Sequence, residues 1–312
     1  MTKETEEKNS ATSPYAVNAV KAVLRAADPD QVRAEKYRLP LEVPRVCVDD
    51  HVVAFNSLII EGHARPEIRA LVKGRPLELL DEGIDYSRLE MILSRAQKAW
   101  KEVTHKECPV TMKDLTCENL SAVALACCAA RFPMPWRKTV DAQFLGDKVN
   151  GFTLTATTAL EKGGKAAFEV NLSDETRLVV IENPESTLEE ALKAVKGGSE
   201  RTVVVPSVNI EVENDFLKDY PAYCVSSLEF TSDANLVRLT SFKENVNFSM
   251  NDRGVFGVSV VTMTAGFTGL FRSDEPEDDA IFIDEPFRAF VVSKLVDGTD
   301  AVIFDVVVNT VK

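Results

Sequence analysis

Histidine is scarce in this chain of 312 residues: only His51, His63 and His105 occur. None stands in an HExxH pattern or beside a nucleophile motif, so the commonest general base finds no partner in the sequence. GxSxG elbows, P-loops and GxGxxG turns are also absent. These absences remove the commonest catalytic motifs without excluding an enzyme, and no cofactor and no metal are expected. The acidic run SDEPEDD, from Ser273 to Asp279, lacks the glycine turn and distal glutamate of an EF-hand loop. Basic residues are outnumbered, 36 against 49 acidic, for a net charge of -13. Such a surface repels phosphate backbones, which argues against nucleic acid and fits a basic-faced partner protein or plain solubility. No run of eighteen apolar residues occurs, so no membrane span is expected.

Cysteine is sparse and no CxxC pair exists among Cys47, Cys108, Cys117, Cys127, Cys128 and Cys224. Reduced, buried thiols are the expectation. Cys127 and Cys128 lie in an apolar run and would point to opposite faces of a strand. The opening MTKETEEKNS has no secretory pattern. Together these point to the cytoplasm, although sequons at Asn119, Asn171 and Asn247 point the other way.

What is present is ample core material, at 45% hydrophobic residues. Residues 1–11 read as a loose tail, and 12–312 as one domain with no Pro- or Gly-rich linker. Ser13-Pro14 opens a helix with Val17, Val20, Val23 and Leu24 at helical spacing, broken at Asp28-Pro29. A second short helix starts near Asp30. Val52 to Ile60 reads as a strand, Pro66 to Leu71 as a short helix, and Tyr86 to Val103 as a longer one. Ala122 to Ala130 is long enough for a doubly buried strand, with a helix as the competing choice. Thr187 and Glu190 form a capping-box pattern. From about residue 140 strands dominate, among them Leu236 to Thr240, Val246 to Met250, Val255 to Met263 and Val302 to Val308. Helices first and strands later make an α+β pattern.

Several segments occur in an order that resembles one family. SPYAVNAVKAVLRAADPDQVR, from Ser13, is similar to the serpin SP-x-S helix with the short helix that follows it. FNSLII (Phe55 to Ile60), Trp100, AVALACCAARFPMPW (Ala122 to Trp136) and VVVPSVNIEVENDF (Val203 to Phe216) follow in family order. NDRG (Asn251 to Gly254) resembles the serpin hinge. IFIDEPFRAFVV (Ile281 to Val292) and the closing VVVN (Val306 to Asn309) resemble the family's C-terminal strands.

The resemblance implies a large central sheet, two smaller sheets and a helical cap. It further implies a suicide inhibitor of a serine or cysteine protease: the reactive loop is cleaved, and its N-terminal side inserts into the central sheet. The hinge would be Asp252, Arg253, Gly254, Val255, Phe256 and Gly257. The inserting residues carry no charge and no proline, as a strand buried on both faces requires. Val255, Gly257, Ser259 and Val261 would face one side; Phe256, Val258, Val260 and Thr262 the other. The scissile bond falls at Thr268, Phe271, Arg272 or Asp274, depending on the end counted from. The polar cluster that holds a serpin sheet shut maps to Ala16, Cys128 and Glu244, and is thus lost or rebuilt. Bulky Val255 and Phe256 and the altered cluster favour the alternative: a serpin-fold binding or assembly protein that has lost the insertion trap.

Overall fold

The computed structural model describes residues 8–46, 48–81, 83–134, 136–162, 165–225, 227–233, 235–266, 286–295 and 297–309. The first half runs β1 (Ser10–Thr12), α1 (Pro14–Ala27), α2 (Gln31–Lys36), β2 (Val52–Ile60), α3 (Pro66–Val72), β3 (Glu78–Leu80), α4 (Tyr86–Thr104) and β4 (Leu120–Pro133). There follow β5 (Arg137–Phe144), β6 (Asp147–Lys162), β7 (Lys165–Asn171), β8 (Thr176–Ile181), α5 (Leu188–Val195), β9 (Ser199–Pro206), β10 (Val208–Asp215), β11 (Arg238–Asn251), β12 (Gly254–Gly266), β13 (Phe287–Lys294) and β14 (Asp300–Val308). Ser10 and Ala11, expected in the loose tail, instead pair with Val307 and Val306 of β14.

Local chemistry sets the helix ends. The Ser13 hydroxyl accepts the Ala16 N–H, and Pro14 needs no donor at the first helical position. Asp28 ends α1, its N–H donating to the Arg25 carbonyl. Asp30 caps α2 through the N–H groups of Val32 and Arg33. Thr187 and Glu190 form the expected capping box on α5. The alanine-rich run is strand β4, not helix. Both its edges are taken, by β2 and by β12, and that pairing outweighs alanine's helical propensity. The two strands expected around Leu236 to Thr240 and Val246 to Met250 are one strand, β11, with a bulge between Leu239 and Ser241.

Two hydrogen-bonded sheets result. One follows the order β1-β14-β13-β8-β7-β6-β5, with β9 also on β6. Its 16-residue strand β6 pairs with β5 and β9 over its first half and with β7 near its end, so the two smaller sheets share a strand. The second sheet has the order β10-β11-β12-β4-β2-β3. One of its faces packs on α1 and the other sheet, through Ala126, Cys128, Val246, Phe248 and Val261. The opposite face lies under α4, through Leu125, Cys127, Val258 and Val260 against Ile92, Ala96 and Trp100. Cys127 and Cys128 thus do face opposite cores. The described cysteines, Cys108, Cys117, Cys127, Cys128 and Cys224, are free. Among the described residues no helix is long and apolar enough to cross a membrane.

Candidate functional site

The centre of the six-stranded sheet holds β12, the segment that the sequence marks as the inserting strand. It pairs with β11 from Gly254 opposite Asn251 to Gly266 opposite Arg238, and with β4 from Gly254 opposite Pro133 to Gly266 opposite Leu120. Every residue of β12 is buried except Phe256, which is half-buried. The faces follow the expected alternation: Val255, Val261 and Met263 enter the core shared with α1, and Val258 and Val260 the core under α4. Small residues of β4 make room. Gly257 through Val261 sit opposite Ala130, Ala129, Cys128, Cys127 and Ala126.

Of the residues expected as the hinge, Asp252 and Arg253 form the turn into this strand, and Gly254, Val255, Phe256 and Gly257 are its first four residues. The Arg253 N–H donates to Asn251 Oδ1 at 2.9 Å, and the Arg253 carbonyl accepts the Met134 N–H at 2.9 Å. Gly254 has φ +135°, and a Cβ there would fall 2.0 Å from the Phe132 carbonyl oxygen, so only glycine fits. Gly257 lies under a ring from the other sheet: a Cβ would meet Phe304 Cε2 at 3.0 Å. The bulky hinge residues are accommodated, with Val255 fully buried. The scissile-bond candidates Thr268, Phe271, Arg272 and Asp274 lie outside the described residues.

Ala16, Cys128 and Glu244 converge on one polar cluster. Glu244, on β11, is 0% exposed. Its Oε1 accepts the Ser13 N–H at 2.6 Å and the Ser259 hydroxyl at 2.8 Å. Its Oε2 accepts the Thr12 hydroxyl at 2.8 Å and the Asn214 amide at 2.9 Å. All four acceptor positions of the carboxylate are filled, by donors from β1, the α1 cap, β10 and β12. Burial raises its pKa above the usual carboxylate value, and the four donors act against that rise. Cys128 lies opposite Ser259, its thiol pushed up to about 12 by burial, with Ser13 acting in the other direction. Ala16 is fully buried in the first turn of α1 and donates its N–H to Ser13 Oγ at 3.4 Å.

Glu244 is thus the hub of one hydrogen-bonded cluster that draws on β1, the α1 cap, β10 and β12. Sequence reading missed Thr12, Asn214 and Ser259 as members. The available signal was Glu244 itself, which holds an inward position between Phe242 and Val246 on a strand of period two. Among the described residues no group of three or more His, Cys, Asp or Glu could hold a metal ion.

No protein-family model matches the chain, and no curated protein matches it in sequence. Solved structures do match. A cleaved Serpin 42Da superposes with a TM-score of 0.73 at 12% identity, covering 99% of this chain and 94% of that one. The thermophilic serpin tengpin, in the latent state, gives 0.66 at 12% identity over 99% and 93%. Thyroxine-binding globulin, complexed with a thyroxine–fluorescein ligand, gives 0.62 at 14% identity over 84% and 93%. Identities this low speak for architecture alone, and the architecture is unambiguous along nearly the whole chain. It carries the serpin fold, α+β in class, with a strand filling the position between β11 and β4.

Proposed function

We propose that this chain is a protein-binding, serpin-fold molecule whose insertion strand resides in the sheet without cleavage, so that in this form it is not a suicide inhibitor. The observation that carries the proposal is β12 itself, paired along both edges in an uncut chain. No cut is needed for this arrangement. About twenty residue steps separate Gly266 from Phe287, enough to reach about 70 Å, whereas a 13-residue strand spans about 43 Å.

Energetics point the same way. Withdrawing β12 would bring Val255, Val258, Val260, Val261 and Met263 towards water, each at roughly 1.5–3 kcal/mol. That total, on the order of 10 kcal/mol, is comparable with the whole stability of an ordinary domain. A net charge of -13 suits a partner with a basic face. Free thiols, buried at Cys127 and Cys128 and half-buried at Cys108, Cys117 and Cys224, suit a reducing compartment, and we place the protein in the cytoplasm.

A second reading keeps the trap. The fit of β12 between its neighbours is also what an inserting loop requires, and a loop trapped outside after folding would be a protease substrate at Thr268, Phe271, Arg272 or Asp274. The two readings separate on one experiment. The intact chain is incubated with trypsin-like, chymotrypsin-like and aspartate-specific proteases, and its melting temperature is measured before and after nicking. The resident strand gives clean nicking, no covalent complex resistant to SDS, and no rise in melting temperature. A stable complex, or a large upward shift on nicking, restores the inhibitor.

A further inference from the structure

We propose that the open edge of β10 is where the basic partner docks: an extended segment with Lys or Arg at every second residue, added to the six-stranded sheet as a further strand. This deepens the protein-binding reading above and rests on its basic-faced partner. β10 is the terminal strand of its sheet and pairs with β11 alone. The main-chain groups along its other side have no ladder partner among the described residues, which leaves a template for one more strand.

The side chains decide what that strand must be. Asn209, Glu211, Glu213 and Asp215 are the exposed, alternate residues of β10, while Val208 and Ile210 are buried. Residues on one face of a strand recur about every 6.8 Å, so the three carboxylates match the repeat of a partner whose basic residues alternate. The Lys243 ammonium on β11 has its pKa raised first by its 2.7 Å bond to Glu213, and further by the charges of Asp215 and Asp114. Lys106 pairs with Glu211 at 2.6 Å. Negative charge is therefore in excess on this face. Both pairs reach solvent and are weakly held, so an incoming cation can share or replace the chain's own.

An independent observation points to the same ligand. Asn245 stands opposite Glu213 in the ladder and shares its face. It is only 9% exposed, yet its side-chain amide has no hydrogen-bond partner among the described residues. Its carbonyl is a spare acceptor beside the acidic row, ready for an ammonium or guanidinium group from outside. A second copy paired through β10 would set the same acidic row against the first, and like charges directly opposite destabilise a strand pair. The charge pattern thus selects a basic strand.

Two synthetic peptides, titrated calorimetrically into the intact chain at low salt, test the edge. One alternates Lys and Thr over about ten residues, so that its charges share one face of a strand. The other alternates Lys and Pro, with the same charge but half of its N–H groups missing, and cannot complete a ladder. The Lys–Thr peptide should bind, and the Lys–Pro peptide should bind at least about tenfold more weakly. Glu213→Gln combined with Asp215→Asn should weaken the Lys–Thr peptide about tenfold. Asp174→Asn combined with Glu175→Gln, exposed in the β7–β8 turn and equal in charge change, should leave it unaltered. Equal affinity of the two peptides would overturn strand addition. Equal losses in the two double variants would reduce the effect to net charge and overturn the edge. A loss confined to the Asp174 and Glu175 variant would keep the basic partner and move it off β10. No binding of the Lys–Thr peptide to the wild type would remove the basic partner together with the edge, and leave the resident strand to its own nicking experiment.

Discussion

Asp28 and Glu244 lie at opposite ends of α1, and each is buried to within 1% of complete exclusion from solvent. The fold neutralises them in opposite ways. Glu244 meets the N-terminal end, where free N–H groups and the helix dipole favour an anion, and its four partners are neutral donors that act against the rise in pKa caused by burial. Asp28 meets the C-terminal end, where the dipole is unfavourable to negative charge. It takes a full cation: Arg33 reaches it through Nε at 3.0 Å and through a second nitrogen at 2.5 Å. Tyr223 adds its hydroxyl at 2.5 Å, and the Asp30 N–H donates at 2.8 Å. Arg33 also donates to the Ser227 carbonyl, so the pair ties the α1–α2 corner to a distant segment. The comparison teaches that one helix can anchor two buried charges provided each end receives the partner its dipole lacks.

Removing the cation should break the comparison hardest. Arg33→Ala leaves Asp28 charged, buried and without its ion pair. A loss of about 3–5 kcal/mol is expected from breaking such a pair, read as a fall in the urea midpoint with m unchanged. If the variant loses less than about 1 kcal/mol, as exposed pairs do, Asp28 is not buried in solution as described.

The Tyr223 hydroxyl is the next test. Burial and the hydrogen bond to Asp28 raise its pKa, with Arg33 acting in the other direction. It therefore stays protonated and donating at all ordinary pH. Tyr223→Phe keeps the ring packed beside Tyr37 and Tyr220 and removes one donor to a charged acceptor. The expected cost is about 1.5–3 kcal/mol in chemical denaturation. A cost as large as that of Arg33→Ala would mean that the hydroxyl, not the guanidinium, neutralises Asp28.

The two ends also differ in how visible they are in sequence. Asp28 is followed by Pro29 and by the Asp30 cap, so the helix break was legible from local chemistry alone. The strand at Val255 to Met263 was legible too, since its alternation and lack of charge survive into both faces of β12. The hub at Glu244 was only half legible. Its position came from the family resemblance alone, since the strands read as Leu236 to Thr240 and Val246 to Met250 left Glu244 between them. Its partners Thr12, Asn214 and Ser259 lie 232, 30 and 15 residues away, brought together by sheet register, which no local pattern encodes. Strands β1, β3 and β5 were missed for a related reason: two of them are three residues long and exist only because a neighbour pairs with them.

Global stability against pH sharpens the contrast further. Glu244 has its pKa raised in the folded chain, by burial first of all. Its contribution is fully present below the unfolded carboxylate pKa and is lost as pH rises through the folded value. Denaturation measured across that window should show a fall that Glu244→Gln removes. A fall that persists in Glu244→Gln would assign the linkage to another group.

The smallest effect is expected at the rim of the hub. Thr12 donates one of the four bonds to Glu244, from a half-buried position on the three-residue strand β1. Thr12→Val keeps the shape and the β-branch while deleting that donor. Three donors remain on the carboxylate, and water at the half-open β1 side can take the fourth place, so the loss should be only about 0.5–1 kcal/mol. The corresponding change on the covered side, Ser259→Ala, offers water no such access and should cost more. The order of these two values is the measurement that matters. If Thr12→Val proves the more costly, the carboxylate is held chiefly from β1, and β12 contributes cover without contributing grip.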